Sequence, residues 1–167
     1  MLFRSPRTVT GAGETEFADM RAAYDALSPQ MKEKIEPLVA EHYALYSRIW
    51  LGDEDWTQEQ KDAMPPVRWR MVRTQPYGRK SLFIGSHANR IVGWPVPEGR
   101  MFLLDLLEHA TQRPLVYRHE WQVGDLVIWD NRATLHRGRP YDMTQRRELR
   151  RTTTRDYAAI PEPVAAE

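Results

Sequence analysis

Apolar and polar positions change their period along the chain. From Phe17 to Leu27, in FADMRAAYDAL, Phe17, Met20, Tyr24 and Leu27 recur at helical spacing, which predicts a helix. Ser28-Pro29 then offers an N-cap and a first-turn proline to a second helix through MKEKIEPLVAEHYALYSRIW, with a break at Pro37. Residues 52–63 are polar and acidic and end at Pro65-Pro66, which reads as a surface loop or short helix of the length often used as a lid. After Pro66 the period drops to two. VRWRMVRT alternates as a strand does, Tyr77-Gly78-Arg79-Lys80 reads as a turn, and SLFIG completes a hairpin. EGRMFLLDLLEHA, residues 98–110, is an amphipathic helix. LVYRHEW alternates again, Gly124-Asp125 turns into LVIWD, a buried strand by its apolar content, and Thr134–His136 and Arg147–Thr153 are candidate strands around RGRPYDMTQ. Residues 1–13 give no clear type, because Pro6 interrupts any strand and Gly11 and Gly13 mark a turn. Short antiparallel strands with helices outside fit a barrel or jelly roll better than a parallel sheet.

Composition narrows the function classes. A chain of 167 residues suits one domain, and 41% apolar residues with six Trp provide a core. Lys and Arg total 24 against 23 Asp and Glu, which argues against a dedicated nucleic-acid binder. The absence of cysteine excludes disulfides, zinc–thiolate sites and thiol nucleophiles. No run approaches the roughly 18 apolar residues of a membrane span, and the N-terminus lacks a signal-peptide layout. A cytoplasmic protein is the expectation, with neither membrane nor nucleic acid as partner.

Candidate chemistry gathers late in the chain. His42, His87, His109 and His119 are scattered and make no ligand pair at helical or strand spacing. For His109, near a helix C-terminus, a favourable end charge is the simpler reading. His136 alone would more often be structural than a ligand, but it follows LVIWDN and precedes a crowd of arginines. If 147–153 is a strand, Arg147, Leu149, Arg151 and Thr153 share a face. Two inward guanidiniums would call for bound acids, which they match bidentately. An edge strand whose arginines, with Arg146, Arg150 and Arg155, form a solvated face is the even alternative.

GDLVIWDNRATLHRGRPYDMTQRRELRRTTTRD resembles the C-terminal signature of the taurine / 2,4-dichlorophenoxyacetate dioxygenase family (TauD/TfdA), which is Fe(II)- and 2-oxoglutarate-dependent. GETEFADMRAAYDAL, AMPPVRWRMVRTQPYGRKSLFIGSHANRIVGW and EGRMFLLDLLEHATQ agree in family order, so the resemblance runs from about Gly11 onward. The GSHA element and HRG…RRELRR lean toward the 2,4-dichlorophenoxyacetate branch. The resemblance implies a fold that is mainly β with flanking helices: a double-stranded β-helix, a cupin-like jelly roll. It implies that His136 is the second iron histidine. It pairs Arg147 with the distal carboxylate of 2-oxoglutarate and has Thr15 hydrogen-bond the same co-substrate. It brings Arg151 to the acidic group of the primary substrate, near the co-substrate. Trp129, Asp130 and Asn131 match the turn that aims the histidine. Fe(II), 2-oxoglutarate and molecular oxygen are the implied cofactors, and a small organic acid, aryloxyacetate- or sulfonate-like, is the implied substrate. Family members are commonly homo-oligomers.

The family's HxD or HxE iron motif has no match after any of the five histidines. The motif is expected before residue 1, so 1–167 reads as one incomplete, N-terminally truncated dioxygenase domain. Three readings follow: a dioxygenase in incomplete form, a non-catalytic remnant that binds dicarboxylates through Arg147 and Arg151, and a nucleic-acid module built on RRELRRTTTR. Near-neutral charge and the motif matches oppose the last.

Overall fold

A computed structural model describes residues 1–9, 11–53 and 55–154. Arg155, counted above with the basic face, lies outside the described residues. The order is β1 (Leu2–Arg7), β2 (Thr15–Asp19), α1 (Met20–Asp25), α2 (Pro29–Ile35), β3 (Val39–His42), α3 (Tyr46–Trp50), α4 (Gln58–Asp62), β4 (Val67–Arg70), β5 (Val72–Thr74), β6 (Lys80–Leu82), β7 (Ala88–Ile91), α5 (Val96–Ala110), β8 (Val116–His119), β9 (Leu126–Ile128), β10 (Thr134–Gly138) and β11 (Glu148–Thr152). Among the described residues the strands form small antiparallel sheets, ordered β11-β1-β9, β10-β2-β8 and β4-β3-β7, with β5–β6 as a hairpin. The architecture is mixed α/β, with more helix and shorter sheets than the expected mainly-β barrel.

Several expected elements form where the pattern put them: the β5–β6 hairpin, α5, and strands β10 and β11. Ser28 caps α2 by accepting from the Met31 N–H, with Pro29 in the first turn. The expected helix from Phe17 is instead a strand followed by a helix. Phe17 and Ala18 belong to β2, and Asp19 caps α1 through the Arg21 and Ala22 N–H groups. Phe17 and Met20 both point inward across this junction and so imitate helical spacing. After Pro37 the chain forms β3, not more helix, because the segment pairs with β4 and β7. Pro6, expected to interrupt any strand, lies inside β1. The register shifts between Arg4 and Arg7, so two β1 residues face only Leu149 and the missing proline N–H is tolerated in a bulge.

The main core lies under α1, α2 and α5. Ile35, Ala40, Met71, Leu82, Ile91 and Ala110 are each no more than 1% exposed. His109 stands in the last turn of α5, as expected, and its Nε2 also lies 2.9 Å from the Ala23 carbonyl and ties α5 to α1. A second packed space lies between the β1 and β2 sheets. Phe3 meets Trp129 at 4.9 Å and Trp129 meets Phe17 at 5.1 Å, both edge-on. LVIWD was expected to be buried, yet Leu126 and Ile128 are 57% and 69% exposed. Val127, opposite Phe3, and Trp129 face inward, as alternation in a one-sided sheet requires.

Candidate active site

His136 leaves β10 on the same face as Phe17, its register partner, and as Thr15, two residues earlier on β2. Its ring lies 5.2 Å from Trp129 and 6.4 Å from Phe17. The preceding turn is braced locally. Asp130 accepts from the Arg132 backbone N–H at 2.9 Å and holds the Arg132 guanidinium, while Trp129 Nε1 donates to Asn131 Oδ1. His136 opens to solvent on one side, but burial against these rings lowers its pKa below the ordinary histidine value, and the nearby Arg151 charge and the N-terminal ammonium lower it further. The imidazole is therefore neutral at neutral pH, with a lone pair for a metal or a proton.

Arg151 pairs with Phe3 across β1–β11 and so lies on the inward side of that sheet, although its side chain remains exposed. Arg147 precedes β11 and is half-buried. Its Nη2 donates to the Gly13 carbonyl at 2.7 Å, and its guanidinium lies 5.1 Å from the Tyr141 ring. Gly13 has φ +71°, and a Cβ there would come within 3.0 Å of Arg147 Nε. Glycine therefore supplies both the backbone conformation and the space for this seat. Thr15 is 3% exposed and accepts a hydrogen bond from Trp121 Nε1 at 2.9 Å. Thr15, His136 and Arg151 thus border one aromatic-lined space, with Arg147 anchored two residues before Thr15.

A cavity of about 620 Å³ has His136 in its lining but none of the other residues of this space. Glu16, Ala18, Arg118, Leu135 and Arg137 line it, on the opposite face of the β2 sheet, while Thr15, Arg147 and Arg151 do not. Two of its arginines are partnered: Arg137 with Glu16 at 2.6 Å, and Arg118 with Glu14.

A match to the model of the taurine catabolism dioxygenase TauD, TfdA family covers residues 1–153. The chain belongs to that family. It is 62% identical over 149 residues to an alpha-ketoglutarate-dependent 2,4-dichlorophenoxyacetate dioxygenase of Cupriavidus pinatubonensis, covering 89% of this chain and 52% of the relative. It is 43% identical over 143 residues to an (S)-phenoxypropionate/alpha-ketoglutarate-dioxygenase of Sphingobium herbicidovorans, covering 81% of this chain and 50% of that one. Among solved structures, AAD-2 in complex with Mn(II) and N-oxalylglycine matches with TM-score 0.83 and 54% identity, over 89% of this chain and 60% of that chain. A taurine dioxygenase from Burkholderia xenovorans matches with TM-score 0.74 and 26% identity, over 89% and 49%. This TauD/TfdA-family chain spans about half the length of the curated relatives it matches.

The iron expected of a TauD/TfdA protein does not fit the residues present. Among the described residues no group of three His, Asp or Glu side chains is disposed to hold a metal ion. His136 supplies one donor, and a facial site needs three. The His119–Asp125 contact, Nε2 to Oδ2 at 3.0 Å, was not foreseen; it pins the turn before β9 and brings in no third ligand. Among the described residues no helix is long and apolar enough to cross a membrane.

A second polar cluster escaped the sequence reading. Arg73 lies between the rings of Trp69 and Phe83, 4.1 and 3.3 Å from their centroids, and its Nε and Nη2 are buried without a partner. Burial lowers its pKa to about 10, so it stays charged at neutral pH. Beside it, burial and the Arg73 charge push His42 down to about 4, and His42 Nε2 also lacks a partner. Arg73 sits in an alternating run and His42 in a segment whose pattern reads as helix, and nothing in either neighbourhood announces the other.

Proposed function

We propose that this chain carries the acid-binding part of a 2-oxoglutarate-dependent dioxygenase acting on a small organic acid, aryloxyacetate- or sulfonate-like. The facing β1 and β2 sheets are read as part of a double-stranded β-helix. Thr15 and Arg147 take the distal carboxylate of 2-oxoglutarate, Arg151 meets the acidic group of the primary substrate, and His136 offers one donor to Fe(II). The observation that carries this reading is the approach of Arg151, from one sheet, to His136, on the other. A permanent cation beside a neutral imidazole favours an anion in the space between them. Arg147 keeps Nη1 and Nε beyond its bond to Gly13, and a guanidinium presents donors in a fixed fork.

With one donor of three, the chain by itself is expected to hold Fe(II) weakly and to form little succinate. That favours a second reading, in which the chain binds dicarboxylates and oxidises nothing. Anaerobic titration with Fe(II) and 2-oxoglutarate separates the two. A visible charge-transfer band, followed by succinate on admitting oxygen, supports the oxygenase reading. Calorimetric binding of 2-oxoglutarate without either supports the second. For both, Arg147→Gln is expected to weaken 2-oxoglutarate binding by about tenfold or more, the loss of a charge-assisted contact. Unchanged affinity in that variant would remove Arg147 from the site.

A further inference from the structure

Thr15 is buried, and its hydroxyl oxygen already accepts one hydrogen bond, from the Trp121 indole. An indole N–H can only donate, so Thr15 cannot turn its own proton toward Trp121. Among the described residues no acceptor is seen for that proton. A buried donor without an acceptor is costly, and the cost vanishes when an acceptor-only group, such as a carboxylate, arrives.

The indole is itself held in place. Trp121 is 7% exposed, in the connection between β8 and β9. Its ring packs edge-on against His119 at 4.5 Å and lies 6.1 Å from Phe3. His119 is the register partner of Thr15 and contacts Asp125 Oδ2 at 3.0 Å. The same Asp125 oxygen accepts from the Gln122 backbone N–H at 2.8 Å, next to Trp121. The turn before β9 thus fixes the indole, and the indole fixes one lone pair of the Thr15 hydroxyl.

We infer that Trp121 is a positioning residue acting through Thr15: its N–H donation commits the Thr15 hydroxyl proton to the ligand and so selects a carboxylate over an end group that itself donates. This rests on the proposal that Thr15 and Arg147 hold the distal carboxylate of 2-oxoglutarate. It adds the group that sets the polarity of that contact, 106 residues away in sequence.

The test is a double-mutant cycle on 2-oxoglutarate affinity, measured calorimetrically without metal. Trp121→Phe and Thr15→Val are each expected to weaken binding about fivefold, the double variant no more than either alone, and Thr15→Ser hardly at all. Should Trp121→Phe fail to fold, 3-benzothienylalanine at position 121 keeps the ring shape and removes only the N–H. The amide 2-oxoglutaramate is the second probe. The unaltered chain is expected to prefer 2-oxoglutarate to it by a margin that shrinks in the Trp121 variant. Additive losses, or an unchanged margin, would show that Trp121 only packs, and would overturn the inference. Loss of binding in Arg147→Gln with none in Thr15→Val also overturns it; that result takes Thr15 out of the site and leaves Arg147 and the dioxygenase reading in place. No 2-oxoglutarate binding by the unaltered chain overturns both.

Discussion

In the region under α5, Ile35, Met71, Leu82 and Ile91 are sealed between helices and short strands. On β9, in the β1 sheet, Leu126 and Ile128 stand in solvent. The first region closes over its apolar groups. The second turns only one face inward, toward Trp129, Phe17 and His136, and leaves the other bare. Stability and the proposed ligand chemistry therefore fall to different parts of the fold. Substitutions in the closed region should report on folding, and those on the inner face of the open region on ligand binding. The closed region also contains the one conspicuous violation of its own rule among the described residues, the unpartnered pair His42 and Arg73.

The comparison breaks most readily at Met71. It has no exposed surface, and its N–H and carbonyl bond to Leu38 and Phe83. Met71→Ala should cost about 3 kcal/mol in urea unfolding by loss of packing and a residual cavity. A cost below about 1 kcal/mol would mean that this region is not close-packed. His42 gives an effect of similar size at its limit. Its folded pKa lies below its unfolded value, so the unfolded chain binds the extra proton first. Its contribution is complete above about pH 6.5 and is lost as pH falls toward about 4, by up to roughly 3 kcal/mol. His136 acts in the same direction, so the difference between the unaltered chain and His42→Asn isolates the His42 part. Parallel pH–stability curves would reject it. Ser28→Ala should cost about 1 kcal/mol by leaving the Met31 N–H without its cap, read as a shift in the urea midpoint. The smallest effect belongs to the open face, where Ile128→Ser should change stability by less than about 0.5 kcal/mol. A larger loss would mean that this face is covered in solution.

The same division decides what could be read from the residues alone. β4 was legible because its apolar and basic residues alternate, and β10 because it lies between the turn after LVIWD and the loop RGRPYDMTQ. α5 was legible because fifteen residues give the helical period room to repeat. β2 was misread because five residues of strand run straight into a six-residue helix, and their inward side chains merge into one apparent period. β3 was hidden because its identity comes from pairing on both sides rather than from its own four residues. In the candidate site, His136 and the arginines stood out by type and order along the chain. Their support did not: the Trp121–Thr15 bond, the Gly13 seat of Arg147 and the His119–Asp125 brace join positions by tertiary contact, and no local spacing encodes them.

Gly13 has a consequence for how this site can drift over generations. Its carbonyl holds Arg147, and a Cβ added to it would come within 3.0 Å of Arg147 Nε at a φ that disfavours any side chain. Every single replacement at position 13 therefore meets the arginine and a strained backbone together. A lineage cannot retune the placement of Arg147 in small steps from this side; it must change both positions at once or leave both alone.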